Sequence, residues 1–466
     1  MIDRRELLEA ASSFSLLPSV VEKDYVLGWV LAGINAREEI AESWAFKGGT
    51  CLKKCYFETY RFSEDLDFTL RDESHLDEDF LQPVFEEIIG WITEQSGLNI
   101  AVDQLEFDIY ENPRGRMNCQ GKIAYRGPVS PTSGGWPKIK LDLTADERLV
   151  LPPVRCEVFH PYTDRPEGGI WANCYAYEEA FGEKLRALAE RTRPRDLYDV
   201  VNLYRHTDSR PTAAVLSDVL RQKCEYKAIP VPTFDTLLPH RQSLEAMWSD
   251  MLAHQLPVLP PLNDFWDALP EIFTWITTGA EIPQRAFIQH GAGELAVRTR
   301  VLPMGVPIRS RSTLEIVRFA AANHLCVDLT YDGGVRRIEP YSLRQTAEGN
   351  FVLHAIRSDS GEHRSYRVDR MQSATVTSQV FTPRYAVELT STGPLTVAPS
   401  TAMPRIASTR RRAPRARHQG PTYVYRCTVC RKTFNRRTMD GSLNPHKNPR
   451  GYPCPGRVGV YVRTKY

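Results

Sequence analysis

The sequence predicts a mixed α/β fold (α/β or α+β) built from several segments, and three observations support this. Helical and strand patterns alternate over residues 1–205, whereas the apolar periodicity over 206–280 is mostly helical. Within 311–388 a helix is followed by short strands that break at Asp-Gly turns, which indicates a small α+β unit. The 466 residues are 42% hydrophobic and 25% charged, so a collagen, a coiled coil and a wholly disordered chain are excluded.

The elements of the N-terminal segment follow from apolar periodicity and from turn residues. The pattern predicts helices over 3–12, 20–35, 80–96 and 177–191, a further helix from 197, and strands over 62–70 and 139–143. Residues 281–310 are expected to form a linker. Residues 389–421 are rich in Pro, Ser, Thr, Ala and Arg, which predicts a basic flexible linker before the cysteine-containing segment 422–466.

The net charge of +2 is an average over two unlike parts of the chain. Residues 401–466 contain sixteen Lys and Arg and one acid, Asp440, so this tail carries +15 and the remainder carries −13. An acidic body with a basic tail favours contact between the tail and a polyanion such as a nucleic acid. The alternative is a solvated arginine-rich linker with no partner.

Targeting signals are not evident in the sequence. No run of 18 or more apolar residues occurs, so we expect no membrane-spanning helix and no membrane partner. The N-terminus, MIDRRELLEAASSF, lacks the apolar region of a signal peptide. A cytoplasmic location is therefore expected.

Two aspartates on the predicted strand 62–70 form the most informative motif. Side chains at positions i and i+2 of a strand share one face, so Asp65 and Asp67 project together. Asp142, on the predicted strand 139–143, is the candidate for a third acid. Three carboxylates can hold Mg²⁺ or Mn²⁺, which prefer oxygen ligands. The alternative is that these aspartates are simply the solvated face of a strand.

Two further features accompany the acids. Lys47-Gly48-Gly49-Thr50 lies where a strand gives way to a helix, so backbone amides could approach a phosphate there. Lys184 lies within the apolar stripe of its helix, from which it would either extend to solvent or reach a triphosphate in a cleft. Asp196 and Asp199 follow Pro194, and on their own they indicate the acidic first turn of a helix.

Together these motifs resemble the AbiEii/AbiGii toxin family of nucleotidyltransferases, within the DNA polymerase β-like superfamily. The matching segments, in chain order, are Glu22–Tyr25, Phe46–Leu52, Arg61–Asp67, Lys140–Asp142, Glu183–Ala187 and Arg195–Asp199. The resemblance covers about residues 1–280. It implies a nucleotidyltransferase lobe over 1–205 and a helical lobe of the same module over 206–280.

The resemblance also implies roles for individual residues. The residues expected to act in catalysis are Asp65, Asp67, Asp142, Lys184 and Asp196, with the first three holding Mg²⁺ (or Mn²⁺). The residues expected to bind the nucleotide are Lys47, Gly48, Gly49, Thr50, Ser63, Lys184 and Asp199.

The implied function is that of a toxin in a toxin–antitoxin or phage-defence system. Such an enzyme transfers a nucleotide from an NTP to an acceptor, and an RNA, the 3′ end of tRNA, is the expected acceptor. A hydroxyl attacks the α-phosphate in line, and metals activate the attacking oxygen and stabilise the pyrophosphate leaving group. An antitoxin protein is a possible partner. Two alternatives stay open: a nucleic-acid-binding regulator with a degenerate transferase lobe, and nucleotide transfer to a protein.

Residues 311–388 resemble a WYL domain, a small Sm-like β unit that binds ligands. The resemblance rests on Arg336–Leu343, Arg364–Met371 and Phe381–Pro383, whereas Phe351-Val352-Leu353 replaces the tripeptide that names the family. Arg336, Arg364 and Arg367 are candidates for an anion or nucleic-acid site. The alternative is that they are solvated or paired with Asp328 and Asp369.

Three of the ten cysteines lie near the end of the chain, and the other seven are scattered and are expected to be small buried hydrophobic residues. Cys427, Cys430, His446 and Cys454 have the types and spacing of a tetrahedral structural Zn²⁺ site. The segment resembles small zinc fingers of the CCHC type. Its basic residues, with Tyr423, Tyr425 and Phe434 between them, favour nucleic-acid contact. The alternative is a disordered tail.

Overall fold

The structure is a computed structural model that divides into two compact units, Met1–Ala398 and Pro399–Tyr466. It describes residues 1–57, 60–131, 133–207, 209–280, 285–288, 294–296, 308–389, 422–448 and 453–465. Almost all of the predicted linker 389–421, and most of 281–310, lie outside these described residues. Among the helices in the described ranges, none combines the length and apolarity that crossing a membrane requires.

All helices in the described part of the chain belong to the first unit. Within the described ranges they are α1 Arg4–Phe14, α2 Pro18–Asn35, α3 Glu38–Ala41, α4 Gly48–Cys51, α5 Glu78–Ser96, α6 Tyr177–Arg191, α7 Pro194–Arg205, α8 Ala213–Lys227, α9 Phe234–Leu237, α10 Arg241–Leu252, α11 Leu262–Trp266, α12 Leu269–Thr278 and α13 Ile308–Ala322. A π-helical turn, Leu52–Tyr56, continues directly from α4.

The strands belong to both units. In the first unit the described ones are β1 Trp44–Lys47, β2 Asp65–Leu70, β3 Asn99–Ile100, β4 Glu106–Glu111, β5 Met117–Arg126, β6 Lys138–Thr144, β7 Val154–Glu157, β8 Trp171–Cys174, β9 Leu295–Ala296, β10 Leu325–Tyr331, β11 Gly334–Gln345, β12 Phe351–Arg357, β13 His363–Arg367 and β14 Met371–Val380. In the second unit they are β15 Thr422–Cys427, β16 Thr433–Arg436, β17 His446–Lys447, β18 Pro453–Cys454 and β19 Gly459–Lys465.

An eight-stranded sheet forms the centre of the N-terminal part. Its strands run in the order β3-β5-β6-β2-β1-β8-β7, and β4 pairs with β5. Most neighbours are antiparallel, but β2 lies parallel to β6 and β1 lies parallel to β8. The mixed α/β fold expected from the alternating patterns is therefore confirmed, and the acid-bearing strands β2 and β6 lie next to each other.

Strand β2 is shorter than the sequence predicts. The alternation of apolar residues favours a strand from Phe62, whereas the strand begins at Asp65. The reason is a competing long-range contact, because the backbone N–H of Phe62 donates to the carbonyl of Gln255 at 3.0 Å. That bond ties the segment before β2 to the helical region.

Helices α6 to α12 follow the sheet, and the segment 206–280 is helical as expected. Helix α7 begins with Pro194 in its first turn, where a missing N–H costs nothing, and Asp196 lies in the same turn. The apolar core of the sheet continues through residues of these helices, such as Leu197, Phe265 and Ile272. The two expected lobes therefore share one continuous core.

The WYL-like region is a helix followed by an antiparallel sheet. Helix α13 precedes strands in the order β13-β12-β11-β10-β14, and β9 pairs with β11. Leu314, Val317 and Phe319 of α13 belong to the same buried cluster as the core of the central sheet. Tyr198 of α7 donates to the Asn323 side chain at 2.9 Å. The region is thus packed against the N-terminal part of the unit.

In the described residues of the second unit, 422–448 and 453–465, the regular elements are strands. A three-stranded sheet has the order β16-β15-β19, and β17 pairs with β18. Its described core holds Tyr425, Cys427, Leu443 and Cys454. With so few apolar residues to bury, a unit of this size needs a further source of stability such as a metal.

Candidate active site and zinc site

The three predicted acids lie together on one face of the central sheet. Asp67 of β2 is directly opposite Asp142 of the parallel strand β6, and Asp65 is opposite Lys140. The Asp65, Asp67 and Asp142 side chains are all half-buried. Because residues two apart on a strand share a face, and paired residues of neighbouring strands do too, the three carboxylates lie on the same face of the sheet.

The burial of the acids and their position on one face of the sheet determine their pKa values. Burial, together with the charge of Asp142, raises the pKa of Asp67 to about 6 against the opposing effect of Lys47. Burial also raises the pKa of Asp65, with a contribution from Asp142 in the same direction. Like charges in a partly dry site disfavour one another's ionised form, so this group of oxygens would be stabilised by a bound cation.

Gly48 lets the chain pass directly beside Asp67. Its φ is +80°, in the region that favours glycine, and a Cβ built there would lie 2.0 Å from Asp67 Oδ2. Two residues later the Thr50 hydroxyl donates to the backbone carbonyl of Asp65 at 2.5 Å. The Gly-Gly-Thr motif therefore connects the start of α4 to the acid-bearing strand.

Lys184 lies between this site and a buried pair of acids. Its ammonium nitrogen is 2.8 Å from Asp199 Oδ2 and 3.2 Å from Asp196 Oδ1. The two carboxylates raise the pKa of Lys184 in spite of its burial, so it stays charged. Lys184 also acts to lower the pKa of Asp67, which means that its charge is felt at the acid cluster.

Asp199 was expected to bind the nucleotide, and the structure instead places it behind Lys184. Its side chain is fully buried, with exposure of 0%. One oxygen accepts from Tyr60 at 2.7 Å, and both accept from the Arg61 guanidinium, at 2.7 and 2.6 Å. With both oxygens occupied by protein groups, Asp199 has no free face for a ligand. Asp196 is equally buried, and its carboxylate accepts hydrogen bonds from both Lys184 and Arg191.

Arg61 was not selected from the sequence as a site residue, although it belongs to the motif Arg61–Asp67. It is 2% exposed, and besides Asp199 it donates to the Gln255 side chain at 3.1 Å. A Cβ at Gly49 would lie 2.4 Å from its guanidinium, so the second glycine makes room for this arginine. The sequence shows only that an arginine precedes an acid pair, and this pattern does not indicate that the arginine side chain is buried.

The remaining predicted residues lie around the acids. The Lys47 nitrogen is 3.7 Å from Glu147 Oε1, and Lys47 acts to lower the pKa of Asp67. Ser63 is half-buried two residues before Asp65. Gln120 of β5, which sequence reasoning missed, donates to Asp142 Oδ1 at 3.2 Å from the neighbouring strand. Its only signal was a polar residue at one position of an alternating strand.

The comparison with known protein families identifies the N-terminal part. Residues 29–271, more than half of the chain, match the family described as "Nucleotidyl transferase AbiEii toxin, Type IV TA system". The chain belongs to the AbiEii nucleotidyltransferase toxin family. Asp65, Asp67 and Asp142 lie within the matched range, so this family's enzyme class, a nucleotidyltransferase, is the class of this chain.

Two other comparisons concern the WYL-like region and the solved structures. Residues 312–376 match the WYL domain family, as expected from the sequence. Among solved structures, MenT4, a nucleotidyltransferase toxin from Mycobacterium tuberculosis H37Rv, is similar over 59% of this chain and 90% of its own, with 18% identity and a TM-score of 0.37. No curated protein matches.

The WYL domain of this AbiEii protein does not gather its three candidate arginines into one site. Arg364 and Arg367 are three apart on β13, so they point to opposite faces. Arg367 pairs with Asp369 at 2.7 Å, and Arg364 pairs with Glu362 at 2.6 Å. Arg336 donates to the backbone carbonyl of Gly334 at 3.0 Å. The single anion site expected from the sequence is therefore corrected to three separately engaged arginines.

The zinc ligands expected in the second unit do come together. Ligand atoms of Cys427, Cys430, His446 and Cys454 all lie within 4.8 Å of one another. The Sγ atoms of Cys427 and Cys454 are 3.9 Å apart, and Cys430 Sγ is 3.4 Å from His446 Nε2. The four atoms thus have the composition and spacing of a tetrahedral zinc site.

The surroundings of this cluster support the same assignment. The Asn444 carbonyl lies 2.9 Å from His446 Nδ1, an arrangement that leaves Nε2 free to face a metal. Backbone N–H groups, that of Cys430 first, lower the pKa of Cys427 to about 6, which favours the thiolate that binds metal. A Cβ at Gly456 would lie 2.5 Å from Cys427 Sγ, so the backbone wraps closely around the sulfur. These residues fit Zn²⁺.

The aromatic residues of this unit differ from the expectation. Tyr425 is 5% exposed and belongs to the core, and Phe434 meets the His446 ring edge-on at 4.6 Å between ring centroids. Both therefore support the metal cluster instead of offering a face to a nucleic acid base. The basic residues Arg431, Lys432 and Arg437 are exposed, so charge is what this unit presents to a polyanion.

Proposed function

We propose that this chain transfers a nucleotide from an NTP to the 3′ end of a tRNA, with Mg²⁺ or Mn²⁺, as the toxin of a toxin–antitoxin or phage-defence system. The observation that carries the proposal is the register of Asp67 opposite Asp142 beside Gly48, with Lys184 charged nearby. Membership of the AbiEii family supports the enzyme class and an antitoxin as partner.

The acids are the proposed metal ligands. Asp65, Asp67 and Asp142 offer hard oxygen ligands on one face, and burial together with the neighbouring acids raises the pKa values of Asp65 and Asp67, an unfavourable effect on the ionised form that a divalent cation would offset. When bound, divalent ions activate the attacking hydroxyl and stabilise charge on the leaving pyrophosphate. The Gln120 side-chain amide donates a hydrogen bond to Asp142 Oδ1 and so fixes the orientation of the Asp142 carboxylate.

The cations around the acids are the proposed phosphate contacts. Lys47 and Lys184 are these contacts, because both lower the pKa of Asp67, Lys47 more strongly, so that their charges act on the acid cluster. Gly48, Gly49, Thr50 and Ser63 are proposed to border the nucleotide. Asp196 and Asp199 are positioning residues that hold Lys184 from behind, and Arg61 holds Asp199 in turn.

In the proposed reaction an acceptor 3′ oxygen attacks the α-phosphorus in line. A bond from that oxygen to phosphorus forms as the bond to the β-phosphate oxygen breaks, and pyrophosphate leaves. The protein contributes position and charge and forms no covalent bond of its own. The exposed basic side chains of the second unit are proposed to attract the RNA backbone.

Labelling tests this proposal. The purified full chain is incubated with each α-³²P-labelled NTP and total tRNA, with Mg²⁺ or Mn²⁺. We expect label in RNA, its loss when periodate first oxidises the terminal ribose, and no transfer by the Asp65→Ala, Asp67→Ala double variant. Asp250→Ala, which removes an exposed acid on α10, is the matched control and should transfer normally.

Two outcomes contradict the proposal. Label that resists RNase but is released by protease, after incubation with a whole-cell extract, identifies a protein as the acceptor. Transfer that persists in the double variant shows that the two acids do not carry the reaction.

A further inference from the structure

A second group of cysteines lies in the core of the first unit. Cys51 ends α4, Cys55 lies in the π-helical turn, and Cys174 ends β8, yet their three Sγ atoms are within 4.8 Å of one another. Cys156 of β7 adjoins the group, because the Tyr56 hydroxyl is 3.9 Å from Cys156 Sγ and 3.8 Å from Cys174 Sγ. All four cysteines are buried.

The local structure brings these thiols together from distant parts of the chain. Cys51 and Cys55 are four apart on continuous helical backbone, so they lie on the same side of it. π-Helical turns of this kind are rare and occur often at functional sites. Cys174 reaches the helix because β8 runs beside β1, the strand that leads into Gly48. Residues 156 and 174 lie on neighbouring strands, β7 and β8.

Three close sulfurs, with a fourth nearby, have the chemistry of a soft-metal site. Sulfur ligands that lie about 2.3 Å from a tetrahedral Zn²⁺ are a little under 4 Å from one another. The three Sγ atoms here lie within 4.8 Å of one another, which is close to that spacing. Thiolates select zinc over hard cations such as Mg²⁺.

We propose that Cys51, Cys55, Cys156 and Cys174 bind one structural Zn²⁺ ion in the core of the transferase lobe. Each thiol releases its proton to solvent as its sulfur–zinc bond forms, so no oxidant or reductant is required. The ion joins the helix that follows the Gly-Gly-Thr motif to strands β7 and β8. It thereby fixes the backbone that positions Gly48 beside Asp67, and it is separate from the zinc cluster of the second unit.

The metal content of the full chain tests this inference. The variant Cys427→Ser, Cys454→Ser disrupts the cluster in the second unit and leaves the core cysteines intact. After purification with a reductant, or after incubation with Zn²⁺ and gel filtration, we expect one zinc per chain by mass spectrometry of the metal. Loading the same variant with Co²⁺ should give the thiolate-to-cobalt charge-transfer absorption in the near ultraviolet.

A third substitution locates the ion. Adding Cys174→Ser should lower the zinc from one to none, whereas adding Cys224→Ser, which alters a buried cysteine of α8 outside both clusters, should leave one. The first measurement decides the matter even if the Cys174→Ser chain does not fold. A chain with Cys427 and Cys454 replaced that holds neither zinc nor cobalt overturns the proposal, as does finding two of the four core cysteines in a disulfide.

Discussion

Replacing Gly48 with alanine is expected to abolish most nucleotide transfer while leaving the protein folded. The added Cβ would lie 2.0 Å from Asp67 Oδ2, and Cβ contacts below 3.0 Å essentially do not occur, so the carboxylate must move by about 1 Å. A displacement of about 1 Å in a catalytic group can reduce a rate by roughly 10²-fold. The positive φ of +80° adds about 1–2 kcal/mol of backbone strain for any residue other than glycine.

A matched variant separates the effect of displacing the Asp67 carboxylate from the effect of backbone strain. Gly97→Ala places a Cβ at a similar φ of +70°, but its nearest neighbour, the Met1 nitrogen, is 3.7 Å away. Both variants should lower the melting temperature by a similar amount, and only Gly48→Ala should lose label transfer at saturating NTP. If the two variants transfer nucleotide at rates within tenfold of each other, the close approach to Asp67 is not what the reaction needs.

Two further predictions follow from the charged groups. The pKa of Asp67 is raised to about 6, so ionisation of this carboxylate lowers the folding stability as pH rises from about 4 through 6. In the absence of metal, the Asp67→Asn variant should therefore have a higher melting temperature than the wild type at pH 8 but not at pH 4. Added Mg²⁺ should raise the melting temperature of the wild type and leave that of the variant unchanged. Arg61→Met removes one of the two cations that pair with the buried Asp199 carboxylate and should cost about 3–5 kcal/mol in urea denaturation. Arg221→Met breaks an exposed ion pair and should cost less than about 1 kcal/mol, so equal losses would contradict the role given to burial.

Much of the active site could be predicted from the sequence, because its signals are local. Strand alternation places Asp65 and Asp67 on one face whatever the rest of the fold does. The Gly-Gly-Thr motif marks a turn at the start of a helix for an equally local reason, the positive φ that Gly48 adopts. The spacing of the four terminal cysteine and histidine ligands likewise indicated their cluster.

Other features could not be predicted, because they depend on contacts between distant residues. Arg61 and Asp199 are 138 residues apart, and nothing in either segment shows that they form a buried ion pair. Seven cysteines are buried as predicted, yet burial alone did not show that the sulfurs of three of them meet. The three arginines of the WYL domain looked like one site in the sequence, and strand alternation separates two of them.

The sequence by itself determined the element types, the acid pair, the glycine turn and the zinc ligands, since backbone preferences and ligand chemistry act over a few residues. Only the tertiary structure decided that Asp142 faces Asp67, that Asp199 supports Lys184 from a buried position, and that core thiols converge behind α4. The physical reason is that strand register and the pairing of buried charges are set by the packing of the whole core. The cost of leaving a buried charge unpaired makes that packing specific.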